Sequence, residues 1–215
     1  MTALERMRGY SADQVRAAEA PLLAAGVPLM ARAAAGLAAA TRELAPERVL
    51  LLVGSGDNGG DALYAGAELA HDGIEVRILR TGERVHTAAL TSALAAGATL
   101  VDRVPDDLDV VMDGILGIGS GAGTALRGRA RAAVEAVLER PHRARVVAVD
   151  IPSGVHPDEG TVADAGVLPA DLTVTFGAVK AGLLRGAGAQ LAGRVRLIDI
   201  GLDLTGVPAL IDLSG

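Results

Sequence analysis

Along this chain, short continuous apolar runs alternate with stretches in which apolar residues recur every three or four positions. Val15, Ala18 and Leu22 share one face of a helix that Ser11 is placed to cap, with Asp13 in its first turn and Gly26 interrupting it. Leu29, Ala33, Leu37 and Ala40 share a face of a second helix, which runs to about Leu44 and ends before Pro46. Beyond it the pattern predicts strand 49–53, helix 58–72, strand 74–79, helix 86–96, a short strand 98–101, strand 109–113, helix 125–139, and strands 146–150, 172–176 and 194–200. Runs such as Val146-Val147-Ala148-Val149 suit parallel strands covered on both faces. Strands alternating with helices through right-handed crossovers give a doubly wound, Rossmann-like three-layer αβα sandwich around a mostly parallel sheet. One domain is expected: helices over 1–46, an α/β core over 47–201, and a tail over 202–215 that packs or leads onward.

Composition narrows the classes that fit this frame. Half of the 215 residues are apolar, enough for the core of one α/β domain but not for a second full one. A net charge of −6, three aromatics (Tyr10, Tyr64, Phe176) and no basic run speak against nucleic acid as a partner. The absence of cysteine removes disulfides, thiolate metal sites and cysteine nucleophiles. No apolar run reaches the roughly 20 residues of a membrane span, and the charged stretch from Glu5 to Arg8 leads into no secretory core, so a cytoplasmic location with no membrane contact is expected.

The densest chemistry lies in Val53-Gly54-Ser55-Gly56-Asp57-Asn58-Gly59-Gly60-Asp61, between the first long strand and its helix. Glycines there let the backbone approach a ligand, and the helix-start amides attract an anion. Gly54-x-Gly56-x-x-Gly59 matches the dinucleotide fingerprint literally, but the next strand ends on Arg80 rather than on a ribose-binding acid, and no Walker lysine follows. Two further strand ends are unusual: Asp113 opens a second glycine-rich loop that finishes at Arg127, and Asp150 precedes Ile151-Pro152-Ser153-Gly154. Asn58, Asp113 and Ser153 can offer an amide, a carboxylate and a hydroxyl to a hard alkali or alkaline-earth cation, or can simply stabilise turns. The four histidines lack the spacing of a transition-metal site, and Asp150, Ser153 and His156 are too close in sequence for a hydrolase triad. Lys180 leaves the strand after Thr175 and Phe176, where it either meets a phosphate, moves protons or lies in solvent.

Together these motifs resemble the NAD(P)H-hydrate epimerases built on the YjeF N-terminal domain. The glycine run resembles that family's V-G-P-G-N-N-G-G-D, Asp113 to Gly119 its D-A-L-F-G-T-G, Val149 to Gly154 its V-D-I-P-S-G, and Ala170 to Lys180 its A-D-x-T-V-T-F-x-x-x-K. Gln14 to Glu19 and Leu29 to Ala34 resemble its N-terminal helices. The resemblance implies an isomerase of cofactor repair that interconverts the R and S epimers of NADH or NADPH hydrated at C6. It implies a potassium ion at Asn58, Asp113 and Ser153. Substrate contacts are implied at Asp57, Asn58, Gly59, Gly60 and Asp61, at Gly117, Ile118, Gly119, Ser120, Gly121, Ala122 and Gly123, and at Asp150. Asp150 is the expected proton-transferring carboxylate, with Lys180 as its catalytic partner. A homodimer is implied, as is a fused or separate ADP- or ATP-dependent dehydratase; a non-catalytic nucleotide-binding or scaffold module of the same fold is the alternative. Asp57 departs from the family's first asparagine and sets a charge beside the ligand unless it caps the helix.

Overall fold

A computed structural model describes residues 8–119 and 125–213. In chain order they form β1 (Arg8–Tyr10), α1 (Ala12–Ala24), α2 (Leu29–Arg42), β2 (Arg48–Val53), α3 (Asp57–His71), β3 (Glu75–Arg80), α4 (Thr87–Ala95), β4 (Thr99–Val101) and β5 (Val110–Gly114). There follow α5 (Gly128–Leu138), β6 (Arg145–Val149), β7 (Leu172–Phe176), β8 (Val179–Lys180), a 3-10 turn (Ala181–Leu183), α6 (Gly186–Leu191), β9 (Arg194–Ile198) and β10 (Ile211–Asp212).

The main sheet has seven strands in the order β4-β3-β2-β5-β6-β7-β9, and every neighbouring pair is parallel. The chain winds outward from β2 through β3 to β4, then returns to β5 and winds the other way. The direction therefore reverses between β2 and β5, at the predicted ends of the two glycine loops, where the Gly54 amide donates to the Gly114 carbonyl at 3.0 Å. Side chains alternate between two cores. Val49, Leu51, Ile78 and Met112 pack beneath α2, α3 and α4, whereas Leu50, Leu52, Val111 and Ala148 pack against α5. The doubly wound αβα sandwich is thus the observed architecture.

Two features go beyond the expected layout. The expected division into helices over 1–46 and a core over 47–201 does not separate the two in space: Leu29, Ala33, Leu37 and Ala38 are buried in the same core as α3 and the sheet. The reason is that one face of the sheet needs three helices to cover it, and α2 supplies the third. Second, short elements unsignalled by periodicity build a small sheet, β10-β1-β8, in which β1 pairs antiparallel with β10 and parallel with β8. The tail packs: Leu202, Leu204 and Val207 lie against Tyr10, Val15 and Ala178. This sheet sets Tyr10 opposite Lys180 and so fixes that lysine in place. No single helix among the described residues is long and apolar enough to cross a membrane.

Candidate active site at the switch point

A cleft of about 840 Å3 opens over the carboxyl ends of β2, β5 and β6, where an open α/β sheet takes its ligands. Gly54, Ser55, Gly56, Asp57, Asn58 and Asp61 form one wall. Leu116, Gly117, Ile118 and Gly119 form another, and Asp150 and Lys180 lie within the cleft. The predicted contacts Ser120, Gly121, Ala122 and Gly123 lie outside the described residues. Gly59 and Gly60 stand behind the wall rather than in it: a Cβ on Gly59 would sit 2.3 Å from the Gly54 carbonyl oxygen, so that position requires glycine, while one on Gly60 would sit 3.1 Å from the Met30 methyl, a tight contact with a flexible side chain. Asp57 is not the cap of α3, a position held by Gly56; it is an exposed acid in the first turn, favoured there by the helix dipole.

Asp150 follows β6 in the left-handed region, with φ 67°, a strained conformation that asparagine and aspartate tolerate better than most residues. Its Oδ1 accepts from Thr175 Oγ1 at 3.1 Å, from the Phe176 amide at 3.1 Å and from Lys180 Nζ. Among the described residues Oδ2 has no partner, so one oxygen holds the carboxylate in place and the other is free to accept a proton. Lys180 is 1% exposed, which rules out a solvated surface lysine. Its ammonium also donates to Thr175 Oγ1 at 3.2 Å and to the Phe176 carbonyl at 3.0 Å, so the buried charge is fully partnered.

Beneath the cleft floor Asp113 and Ser153 are fully buried and in direct contact. Ser153 Oγ donates to Asp113 Oδ1 at 2.6 Å and its amide to Oδ2 at 2.9 Å, while the Ile115 amide reaches Oδ1 at 3.3 Å. Asn58 completes the predicted trio: its Nδ2 donates to the Val149 carbonyl at 2.5 Å and to that of Leu116 at 3.2 Å, and Ser153 Oγ also lies 3.3 Å from the Leu116 oxygen. A Cβ on Gly117 would sit 2.2 Å from Asn58 Oδ1, so only glycine lets the second loop close over the amide. Burial pushes the Asp113 carboxyl above its ordinary pKa, opposed only by the hydrogen bonds from Ser153 and Ile115. Among the described residues no cationic side chain balances this buried carboxylate. Among the described residues no group of three His, Cys, Asp or Glu gathers into a metal site, so a cation here would depend on mixed amide, carboxylate, hydroxyl and carbonyl oxygens.

Three acids of the cleft, Glu19, Asp57 and Asp61, carry no side-chain hydrogen bond or ion pair among the described residues. Asp61, 6% exposed, is held well above the usual carboxyl pKa by burial first and then by Asp150 and Asp57, with Lys180 opposing. Glu19 reaches the cleft from α1 and is likewise raised by burial, with Lys180 opposing and Asp150 and Asp57 reinforcing. Beyond its place in the family's helix motif, residue chemistry did not single Glu19 out. The available signal was a helical one: an acid four residues after buried Val15 and three before Leu22 interrupts an inward-facing row.

A doubly wound sheet with a glycine-lined cleft over its switch point and an ion-paired carboxylate at a strand end defines an α/β protein built to hold a nucleotide-like ligand. Residues 26–182 match the family described as YjeF-related protein N-terminus, and the chain belongs to that family. It is 57% identical over 208 residues to the NAD(P)H-hydrate epimerase of Microbacterium testaceum, covering 93% of this chain and 80% of that protein. To the NAD(P)H-hydrate epimerase of Clavibacter michiganensis it is 53% identical over 219 residues, covering 94% of each. The bifunctional NAD(P)H-hydrate repair enzyme Nnr of Mycobacterium tuberculosis is 44% identical over 208 residues, and there the match covers 91% of this chain but 42% of that protein. In three dimensions the crystal structure of yeast ynu0 superposes with a TM-score of 0.74 over 89% of this chain and 87% of that one, at 17% identity, a likeness of fold.

Proposed function

We propose that this chain is an NAD(P)H-hydrate epimerase, an isomerase that interconverts the two epimers of nicotinamide cofactor hydrated at C6 of its ring. The observation that carries this reading is the Asp150–Lys180 pair, set in a glycine-lined cleft of a chain 53 to 57% identical to curated epimerases over nearly its whole length. The carbon to be inverted bears a hydroxyl beside a ring nitrogen. Inversion by loss and return of that hydroxyl needs proton transfer and charge stabilisation but no redox partner. Asp150 offers an unengaged Oδ2 for the proton. Lys180 and Thr175 hold the opposite oxygen, so the carboxylate keeps its orientation. The glycine run and the α3 amides suit the anionic part of a dinucleotide.

A potassium ion belongs to the same proposal. Asn58, Asp113 and Ser153 would hold it, and the support is the buried Asp113 carboxylate, which has no cationic partner among the described residues, with the Leu116 carbonyl oxygen beside both Ser153 and Asn58. When bound, the ion supplies fixed positive charge beneath the floor, tying the Asn58 end of α3 to the loop after β5. The assembly proposed is a homodimer, with a dehydratase acting downstream, as the fused bifunctional relatives suggest.

The deciding experiment mixes the purified chain with separated epimers of hydrated NADPH and follows them by chromatography. Equilibration far above the spontaneous rate is expected; no acceleration would remove the reading in favour of a nucleotide-binding module.

A further inference from the structure

Inversion at C6 needs a proton put onto the departing oxygen on one face and a proton taken from the water arriving at the opposite face, and the single free oxygen of Asp150 can serve only one face. Glu19 fits the second task by position. It lines the same cleft as Asp150 and Lys180 but comes from α1, a different wall, and has no hydrogen bond or ion pair among the described residues. The small sheet joins the two groups, because Tyr10 pairs with Lys180 and the next residue, Ser11, caps α1 through a capping box with Gln14. Arg16, one turn before Glu19, donates to the Ile118 carbonyl at 2.9 Å and ties α1 to the second glycine loop. Asp61 is the competing acid, but at 6% exposure it is nearly sealed from solvent, whereas Glu19 is half-buried and can exchange its proton with water between turnovers.

Building on the epimerase reading, we infer that Glu19 is a second catalytic residue, the acid that protonates the departing hydroxyl while Asp150 receives a proton from the water that adds. In the first step the Glu19 proton goes to the ring hydroxyl oxygen, the C6–O bond breaks with its electron pair leaving as water, and the N1 lone pair forms the N1=C6 bond. Water then adds to the other face: an O–C6 bond forms, one water proton goes to Asp150 Oδ2, and the N1=C6 electron pair returns to N1. Solvent reprotonates Glu19 and deprotonates Asp150, so atoms and electrons balance without an oxidant or reductant. The charged groups around Glu19 are Lys180, Asp150, Asp57, Asp61 and, on its own helix, Arg16; burial and the acids outweigh the two cations and favour its protonated form.

The test is the pH profile of the enzymatic rate, with the spontaneous rate subtracted at each pH. Wild type should lose rate as pH rises through the Glu19 titration. Glu19→Gln should lower kcat by about 100-fold or more with KM little changed and should abolish that alkaline fall, while Glu19→Asp, which keeps the acid, should recover part of the rate and the fall with it. A Glu19→Gln rate within about threefold of wild type, a loss confined to KM, or a slower enzyme with the same alkaline fall overturns the inference. Should the glutamine variant not fold, an aspartate variant with no alkaline fall does the same. An inactive wild type defeats the epimerase reading and this inference together; an active wild type with an indifferent Glu19→Gln defeats this inference alone.

Discussion

Asp113 and Asp61 are both buried carboxyls within one site, but their surroundings lead to different expectations. Among the described residues Asp113 is held by three donors and has no countercharge, so potassium should bind the folded chain only and raise its stability by mass action, by about 2.7 kcal/mol at 100 times the dissociation constant. Thermal unfolding in potassium chloride against choline chloride at equal ionic strength should show that gain, and Asp113→Asn should abolish it; an equal gain in the variant would place the ion elsewhere. Asp61 has no side-chain donor among the described residues and is raised by burial. Between the ordinary aspartate pKa of 3.8 and its raised folded value, the native chain binds more protons than the unfolded one, so this group's contribution to stability falls as pH rises through that window and stays low above it. Asp61→Asn should therefore unfold at a higher temperature than wild type at pH 8, by about 1.4 kcal/mol for each pKa unit of displacement, with the advantage shrinking towards pH 4. An unchanged difference across that range would mean that Asp61 does not titrate upward.

The strand-to-helix turn between β2 and α3 carries two glycines whose substitution should have opposite results. A Cβ on Gly54 would stand 1.8 Å from the Ile115 carbonyl oxygen, a backbone atom that moves only if the loop after β5 moves, while Gly56 has open space around it and a φ of −95° open to any residue. Gly54→Ala should cost about 1–3 kcal/mol or more and disturb the Asn58 end of α3, whereas Gly56→Ala should stay within about 0.5 kcal/mol of wild type. Equal denaturant midpoints for the two variants would reject the clamp between the two glycine loops. The long helices and the core strands of the main sheet were legible in the sequence because each repeats its period enough to show: strand 172–176 falls where its run predicts, and Ser11 caps α1 through its hydroxyl, whereas the six-residue α6, rich in glycine and alanine, was not foreseen. The three strands of the small sheet were not legible. Two or three residues contain no full period, and their pairing joins Gly9 to Val179 and Arg8 to Asp212, segments far apart in the chain.

For the molecule as a whole, the same limit decided which parts of the site could be read in advance. Strand ends announce themselves when Asp113 and Asp150 terminate apolar runs, so the cleft floor was visible. Glu19 was not, because its role depends on where the small sheet sets α1. The case for assembly also changes at this scale. Of the apolar residues in α1, α2 and their connection, Leu29 and Leu37 are buried in the core and Leu22 and Val27 pack against it, which leaves Leu23 as the large side chain clearly facing outward, 58% exposed. Leu23 also lines the cleft. A twofold contact through α1 would place the same residue of both copies at one interface and bring each copy to the rim of the other's cleft. Light scattering over a roughly hundredfold concentration range should then report a stable dimer mass, Leu23→Glu should lower it towards the monomer, and activity per chain should fall with dilution as the dimer separates. A monomer throughout, with Leu23→Glu leaving mass and activity unchanged, would return Leu23 to the role of an ordinary exposed leucine on the wall of a self-sufficient site.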